Sequence, residues 1–383
     1  MDFALTPEQR ALREEIIRFA QRELNRDVIT RDRDQVFDRD LWKMCGTMGL
    51  MGLPVPEQFG GTGADGLTTA IALEALGYGC RDSGLVFSIC AHLLSCVVPI
   101  WKHGSDAQKR QWLPRLCDGT LVGVHAMTEP GSGSDAYAMR TVAIPDGEGG
   151  WRINGTKTFV TNGPVADLVI VFAITDAAKG FHGGITAFLV KAAEAGVRTS
   201  QKIEKMGLRT SPFGELVFDD LRVGPDAVLG QLGAGAQQFQ GSMDWERICL
   251  FAGHVGTMER LVEQSVNYAR TRQQFGQPIG RFQAIQQKIA DMKIRLEAAR
   301  LLTYRAAALL DRSKTVSLHA AIAKTFVSEA LVQTAQDAVQ VHGGYGYCTE
   351  YEIERAVRDA MASTLYSGTS EIQRTIIARW LGL

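Results

Sequence analysis

The chain has 383 residues, 45% of them hydrophobic and 22% charged, which is the composition of a globular protein and excludes a disordered or fibrous one. Its 41 basic and 42 acidic side chains give a formal net charge of -1, so the basic excess typical of a nucleic-acid-binding protein is missing. The length predicts two or three domains of roughly 150 residues each.

The seven cysteines are scattered, odd in number and contain no Cys-x-x-Cys pair. This usage predicts reduced thiols in a cytoplasmic protein, and we assign no metal ligands. The first nine residues lack the basic-then-apolar pattern of a secretion signal. The most apolar stretch, 84–101, is interrupted by His92. Because a membrane span needs about 20 mostly apolar residues, we expect a buried core helix here and no membrane partner.

The first 120 residues have helical patterning and predict an N-terminal α-helical domain. In the segment 6–9, Thr6 can cap a helix, Pro7 suits its first turn and Gln9 can complete a capping box. Segments 41–50 and 67–76 predict further helices, and the Gly- and Pro-rich segment 54–66 between them predicts a loop.

Residues 121–232 predict a central β domain, because glycine becomes frequent and the apolar runs become short. Asn154-Gly155 lies between two candidate strands and predicts a hairpin, since Asn-Gly accepts the positive φ angles of a type I′ turn. Segments 168–174, 185–190 and 216–223 predict further strands. Their spacing favours a small antiparallel barrel or sandwich, and the lack of strand–helix alternation argues against a Rossmann domain.

Residues 233–383 predict a second α-helical domain, with helical patterning from about Gln237 onwards. A stripe with 4,3,4,3 spacing marks one face of a long helix and consists of Ile285, Ile289, Met292, Leu296 and Ala299. Segment 316–341 predicts another long helix ending at Gly343-Gly344, and 370–381 predicts the last one. The fold class is therefore α+β, with the order helical, β, helical.

Two segments of the central domain have residues suited to a cofactor. In Thr128-Glu-Pro-Gly-Ser-Gly-Ser-Asp135, two glycines would let backbone N–H groups approach a phosphate or a planar ring, although a surface turn explains the same residues. In Phe159-Val-Thr161-Asn-Gly, the aromatic ring and the hydroxyl share one face of a strand and could flank a flavin; the alternative is an ordinary strand end.

Three segments of the C-terminal domain raise the same choice. Arg272, in Arg-Gln-Gln-Phe-Gly, offers a planar fork for phosphate or is a solvated arginine at a helix end. Gly343-Gly344 could contact a cofactor or form a helix C-cap. Thr369, in Ser-Gly-Thr-Ser-Glu, could contact a cofactor or form a helix N-cap.

Taken together in this order and spacing, the segments TEPGSGSD, FVTNG, RQQFGQPIGRFQ, QVHGG and SGTSEIQR resemble those of the acyl-CoA dehydrogenase family over essentially the whole chain. The resemblance implies an N-terminal α-helical domain, a central β-barrel and a C-terminal four-helix bundle, assembled as a homotetramer. It implies noncovalent FAD and α,β-dehydrogenation of an acyl thioester: a base takes the α-proton and flavin N5 takes the β-hydride. The electron acceptor would be an electron-transfer flavoprotein or O2.

The family's site residues can be carried over one by one. The cofactor residues are Met127, Thr128, Gly133, Ser134, Phe159, Thr161, Arg272, Phe275, Gln283, Gln340, Gly343, Gly344, Thr369 and Glu371. Of these, the resemblance places Thr161 near flavin N5, and it places Arg272, Phe275 and Gln283 in the neighbouring subunit's site. The substrate residues are Ser134, Asp244, Arg247, Ser367 and Gly368.

The base is the one clear departure from the family pattern. Many members have a glutamate in a Tyr-Glu-Gly-Thr segment, where this chain has Ser367. Isovaleryl-type and long-chain members have their base on the helix that enters the C-terminal bundle, and Glu246 stands at that place. We therefore assign the base to Glu246. The alternatives are a surface carboxylate paired with an arginine, and a family member that has lost desaturation.

The acyl group is less well defined by the sequence. The isovaleryl-type base favours a short or branched acyl-CoA. Segments 81–85, 87–92, 245–246 and 376–383 are similar to those of prolyl-carrier-protein dehydrogenases, whose thioester hangs from a carrier protein. A thioester on CoA and a thioester on a carrier protein both remain alternatives. An oxidase that uses O2 and a non-catalytic flavin-binding scaffold remain alternatives as well.

Overall fold

The computed structural model describes residues 4–310, 312–313 and 316–383. Residues 1–3 of the predicted N-terminal domain, and 311, 314 and 315 of the predicted C-terminal domain, lie outside this part. The described chain runs from helices through a β-sheet to helices again. This order confirms the predicted α+β class.

The N-terminal domain is helical as predicted. Its helices are α1 (Pro7–Phe19), α2 (Val28–Asp34), α3 (Arg39–Thr47), α4 (Gly66–Gly79), α5 (Ser83–His92), α6 (Val98–His103) and α7 (Asp106–Cys117). The predicted capping box is present at α1: the Gln9 N–H donates to Thr6 Oγ1 at 3.2 Å, and the Thr6 N–H donates to Gln9 Oε1 at 3.1 Å.

The helices α5 and α6 form one continuous helical run, Ser83–His103. It is long and apolar enough to cross a membrane, but 89% of its most apolar window is buried inside the protein. The run is therefore the core helix that the sequence predicts. All seven cysteines are free thiols, and six of them are buried.

A π-helical turn, Leu93–Val97, joins α5 to α6. Pro99 follows it; proline has no N–H to donate to the carbonyl four residues earlier, and its ring crowds that carbonyl, which here belongs to Ser95. The Val98 N–H bonds instead to the Leu93 carbonyl, five residues back. Pro99 thus removes the hydrogen bond that would close a regular α-helical turn at Ser95.

The central domain is a single seven-stranded sheet. Its strands are β1 (Gly123–Ala126), β2 (Val142–Pro145), β3 (Trp151–Thr161), β4 (Leu168–Ile174), β5 (Ile185–Lys191), β6 (Val197–Lys202) and β7 (Phe213–Val223). The short helix α8 (Phe181–Gly184) precedes β5. β1 pairs with β4 in parallel, so the prediction of a purely antiparallel domain is wrong. β4 also pairs with β5 along its length and with β2 at Ile174, so three strands meet there.

The predicted hairpin at Asn154-Gly155 is also wrong. Both residues lie inside the 11-residue strand β3, where the register against β7 shifts. Gly155 has φ +156°, and a Cβ there would lie 2.3 Å from Thr141 Oγ1. The Asn154 side chain accepts the Asp220 N–H at 2.8 Å across the irregularity. Here the Asn-Gly pair forms a bulge, because Gly is also suited to close backbone approach inside a strand.

The C-terminal domain is a helical bundle. Its helices are α9 (Gly235–Trp245), α10 (Phe251–Thr271), α11 (Gln283–Leu309), α12 (Val316–His342), α13 (Ile353–Met361) and α14 (Ser370–Trp380). The short strands β8 (Gln273–Gln274) and β9 (Gln277–Pro278) form a hairpin before α11. Another π-helical turn, Glu246–Leu250, joins α9 to α10. Met292, Leu296 and Ala299 of the predicted stripe are fully buried on α11.

The core helix is fastened to the sheet by side-chain hydrogen bonds. Buried His92 accepts the Gly123 N–H at Nδ1 (2.9 Å), while its Nε2 lies 3.1 Å from the Leu116 carbonyl. Buried Ser88 bonds to Ser211 at 2.8 Å. Burial lowers the pKa of His92 to about 4, so the imidazole is neutral and can accept at one nitrogen and donate at the other.

Replacing His92 should weaken the acid sensitivity of the fold. The folded-state pKa lies below the unfolded value, so the unfolded state binds the proton first, and stability falls as the pH drops from 6.5 towards 4. One such group contributes about 3 kcal/mol over this window. His92→Gln should flatten the pH dependence of the free energy of unfolding, measured by urea denaturation, and exposed His182→Gln should leave it unchanged. Equal slopes in the wild type and His92→Gln would contradict this.

Candidate active site

A buried ion pair supports the segment predicted to face the flavin. Lys157, on β3, is fully buried and donates to Glu129 Oε1 at 2.8 Å and to the Met127 carbonyl at 3.0 Å. The Thr158 N–H donates to the Thr128 carbonyl at 2.8 Å. Two of the predicted cofactor residues, Met127 and Thr128, are therefore fixed by β3 from behind.

Glu129 accepts further bonds from the chain that follows. It accepts the N–H groups of Arg140 (2.6 Å) and Thr141 (2.9 Å) and the Thr141 hydroxyl (2.6 Å). Burial alone would raise the pKa of Glu129, but these bonds and Lys157 outweigh it and lower the pKa. Burial lowers the pKa of Lys157 to about 8 in spite of Glu129. At neutral pH both groups are charged, and the pair stabilises the segment 127–141 only when both partners are present.

The glycines of the segment leave open space beside the backbone. A Cβ on Gly131 or Gly133 would meet nothing within 4 Å, and both residues are exposed, as is Ser134. Ser132 Oγ donates to the Asp135 carbonyl at 2.7 Å and orders the turn. The alternative of a surface turn is therefore correct as a description of shape. The open, ordered backbone also fits close approach by a ring or phosphate.

Phe159 and Thr161 end β3 at a second irregularity, between Lys157 and Val160. Phe159 has φ +57° and is 58% exposed, and its ring stacks on Phe213 with centroids 5.6 Å apart and planes 11° apart. An exposed aromatic ring held in a left-handed conformation is costly for a strand end unless something packs on it. This observation fits a planar cofactor against Phe159.

Glu246 begins the π turn between α9 and α10, and both of its carboxylate oxygens accept serine hydroxyls. Ser95 Oγ donates to Oε2 and Ser367 Oγ donates to Oε1. Ser95 is buried and lies on the π turn Leu93–Val97. The structure therefore places Glu246 beside Ser367, the position where many family members carry their base, so the two alternative base positions converge on one spot.

The Ser367 loop has a strained and well-held backbone. Ser367 has φ +55° and Gly368 has φ +88°, and a Cβ on Gly368 would lie 2.6 Å from Gln373 Nε2. The Ser367 carbonyl accepts Arg247 Nε at 3.1 Å and Gln373 Nε2 at 3.0 Å. Arg247 and Ser367, predicted as substrate residues, are thus in direct contact. Arg247 holds the loop that holds Glu246.

Asp244 sits behind Arg247. It is buried, accepts the Ser317 hydroxyl at 2.6 Å, and lies 3.7 Å from the Arg247 guanidinium. Burial raises the pKa of Asp244 against the opposing effects of Ser317 and Arg247. Its bonds to the α12 start and to Arg247 show an anchoring role inside the domain, and its contact with a substrate stays a prediction.

The remaining cofactor residues of the C-terminal domain gather at another place. Six predicted cofactor residues are exposed at one end of the helical bundle: Arg272, Phe275, Gln283, Gln340, Gly343 and Gly344. The Arg272 guanidinium lies 5.4 Å from the Tyr345 ring, and His342 stacks on Tyr268 at 4.3 Å. In the described part of the chain, no hydrogen bond or ring contact joins this end to residues 127–161, so one chain does not bring the two groups together.

Thr369 and Glu371 begin α14. Thr369 Oγ1 accepts the Ile372 N–H at 3.3 Å, which makes Thr369 an ordinary N-cap, as the alternative has it. Glu371 is exposed in the first helical turn, where the backbone and the Thr369 hydroxyl lower its pKa. Its role towards a cofactor stays a prediction.

Sequence reasoning missed Ser95, Lys157 and Gln373. The position of Ser95, four residues before Pro99 in a largely apolar helix, was a usable signal, because proline leaves the carbonyl at that position without its helical donor and distorts the helix there. Lys157 and Gln373 gave no signal, since their partners lie on other elements.

Comparison with known proteins agrees with this geometry. Models of the acyl-CoA dehydrogenase N-terminal, middle and C-terminal domains match residues 6–120, 125–221 and 233–382. The chain belongs to the acyl-CoA dehydrogenase family. It is a FAD-dependent oxidoreductase that acts on the CH–CH bond of an acyl thioester. The predicted three-domain fold is thereby confirmed.

Individual relatives fall into two groups. L-prolyl-[peptidyl-carrier protein] dehydrogenase of Pseudomonas fluorescens is 43% identical over 352 residues, 92% of each chain. The human mitochondrial short-chain specific acyl-CoA dehydrogenase is 41% identical over 360 residues, 94% of this chain and 86% of the relative. Among solved structures, PigA with FAD and proline has 41% identity and a TM-score of 0.97 over the full length of both chains.

Breaking the buried ion pair should destabilise the protein. Lys157→Met leaves the Glu129 carboxylate buried without its cation, which costs about 3–5 kcal/mol. The free energy of unfolding of the FAD-bound protein should fall by this amount, and the dissociation constant for FAD should rise. The matched double variant Lys157→Met with Glu129→Gln removes both charges and should recover part of the loss. A single variant as stable as the wild type would contradict the role of the pair.

Proposed function

We propose that this enzyme dehydrogenates a small α-amino-acyl group, of the prolyl type, bound as a thioester to a carrier protein, with Glu246 as the base. The observation that carries the proposal is the contact of both Glu246 oxygens with Ser95 and Ser367. A carboxylate fixed in this way keeps one orientation for proton abstraction.

The chain's own residues divide the work as follows. Glu246 takes the proton from the α-carbon. The Ser367 N–H donates to the thioester carbonyl oxygen and stabilises the negative charge that develops there. Arg247 and Gln373 fix the carbonyl of Ser367 and so hold that N–H in place. Bound FAD supplies the acceptor for the β-hydride.

The prolyl-type substrate is supported by the relatives named for prolyl-carrier-protein dehydrogenation and by the polar surroundings of Glu246. A second candidate is a short-chain acyl-CoA, because the human short-chain relative is nearly as similar. Either substrate hangs from a phosphopantetheine arm, and the two differ in what the arm is attached to.

The flavin pocket is proposed to be completed by a second copy of the chain. Arg272 and Gln283 are exposed on a different domain from Met127 and Thr128, so a neighbouring subunit is needed to bring them to one cofactor. A homotetramer, an electron-transfer flavoprotein or O2 as acceptor, and a cytoplasmic location stay predictions.

Glu246→Gln should abolish the base while keeping the shape of the side chain. FAD should remain bound, and the rate of flavin reduction by a prolyl thioester should fall by at least about 100-fold, the lower range for a general base. Anaerobic stopped-flow absorbance at the flavin band measures this rate. Reduction at the wild-type rate would refute Glu246 and leave Glu371 as the next carboxylate to test.

Whether the acyl group is carried by a carrier protein or by CoA is tested by comparing thioesters on the same holoenzyme. Prolyl carrier protein should reduce the flavin faster than butyryl-CoA, and acyl-CoAs of twelve or more carbons should be poor. Faster reduction by butyryl-CoA would support the second candidate. An unreduced flavin with every thioester would support a non-catalytic scaffold.

Arg272→Ala should weaken FAD binding, because a charge-assisted contact contributes roughly 1.5–3 kcal/mol. The dissociation constant, measured by flavin fluorescence, should rise about tenfold or more, whereas the exposed Arg198→Ala should leave it unchanged. Light scattering shows the assembly state in parallel. A monomer that binds FAD with full affinity would contradict the shared pocket.

A further inference from the structure

Ser95 and Ser367 contact different oxygens of Glu246 and come from different domains. Ser95 donates to Oε2 from the core helix, and Ser367 donates to Oε1 from the loop before α14. They therefore stand on the two sides of the carboxylate. Arg247 and Gln373 fix Ser367, while the π turn fixes Ser95.

Both Ser95 and Glu246 lie on π-helical turns, Leu93–Val97 and Glu246–Leu250, and these turns pack against each other. A π turn adds a residue to the helical repeat and redirects the side chains within it, which is why such turns concentrate at functional sites. Pro99 contributes to the first turn, because it has no N–H to donate to the Ser95 carbonyl. The backbone thus aims a buried serine at a half-buried carboxylate.

The hydroxyl of Ser95 has one hydrogen and two acceptor lone pairs. Since its hydrogen is used on Glu246 Oε2, Ser95 can only accept a hydrogen bond from anything else that approaches. An N–H group matches this requirement and a CH2 group does not. A CH2 group at this place leaves the desolvated lone pair of Ser95 without a donor, so the mismatch discriminates between otherwise similar acyl groups.

The chemistry of the reaction fixes which part of the substrate meets Ser95. The α-carbon must lie against the Glu246 carboxylate. Its carbonyl substituent lies on the Ser367 side, where the N–H holds the oxygen, and its β-carbon lies towards the hydride acceptor. The one remaining substituent of the α-carbon therefore lies on the Ser95 side. In a prolyl group this substituent is the ring nitrogen.

We propose that Ser95 is a specificity-determining residue that accepts a hydrogen bond from an N–H on the α-carbon and so selects α-amino-acyl thioesters over their carbon analogues. The proposal rests on the proposed function. It adds the residue that recognises the amine.

The test compares two pantetheine thioesters on the holoenzyme: prolyl and cyclopentanecarbonyl, which differ in NH against CH2. The wild type should favour the prolyl thioester. Ser95→Ala removes one of the two contacts that orient Glu246 and should therefore lower kcat/KM for both thioesters, but the loss should be at least about tenfold greater for the prolyl thioester than for the carbon analogue. Ser95→Thr, which keeps the hydroxyl, should retain the preference. Ser88→Ala, a buried serine of the same helix bonded to Ser211, is the matched control.

Binding separates recognition from orientation of the base. In the Glu246→Gln background, the dissociation constant of each thioester can be measured from the shift of the flavin absorbance without turnover. Ser95→Ala should weaken binding of the prolyl thioester alone.

Equal losses for both thioesters in kcat/KM would overturn the proposal and leave Ser95 as a residue that only orients Glu246. A wild type that reduces its flavin equally with both thioesters would also overturn it, with the dehydrogenase function intact. A wild type that is reduced by butyryl-CoA and not by the prolyl thioester would overturn the proposed substrate as well.

Discussion

The site depends first on one buried ion pair, Lys157 with Glu129. Lys157 ties β3 to the Met127 carbonyl, and Glu129 gathers the N–H groups of Arg140 and Thr141. A loop rich in glycine would otherwise have many conformations available, because glycine has no Cβ to exclude them sterically. The pair converts that loop into a rigid surface, and the exposed ring of Phe159 stands at the end of the same strand. Removing either charge alone leaves the other in a dry interior, so the two residues act as a unit.

The proposed base, Glu246, is held in a different way, by the convergence of three chain segments on its carboxylate. The core helix supplies Ser95, the α9–α10 junction supplies Glu246 and the loop before α14 supplies Ser367. The two helical domains that supply them are held together elsewhere by the packing of α4 on α10 and by ion pairs such as Arg300 with Glu74, so the site lies at an interface that is already fixed. Ser367 stands where many relatives have the base. The small side chain leaves room for Glu246 to reach the same spot from the opposite helix.

Sequence analysis predicted the order of domains and most of the long helices, since their hydrophobic periodicity and caps are local signals. It failed at Asn154-Gly155, because the same two residues suit a tight turn and a strand bulge, and only the pairing of β3 with β7 decides between them. It predicted Glu246 from a family resemblance and missed Ser95, whose contact spans 151 residues of sequence. Contacts between residues so far apart in sequence produce no periodic pattern that a single sequence can reveal. The parallel pairing of β1 with β4 escaped prediction for the same reason.

Pro99 has a consequence for how such an enzyme can change its substrate over evolutionary time. Its ring lies one helical turn beyond Ser95 and distorts the backbone that presents this serine to Glu246. Any other residue at position 99 restores an N–H that can bond to the Ser95 carbonyl, and this changes the backbone that presents Ser95 while every residue of the pocket keeps its identity. Under the proposed role of Ser95, position 99 is therefore a route by which lineages gain or lose recognition of an amine through a residue with no ligand contact. Comparisons confined to pocket residues would overlook this.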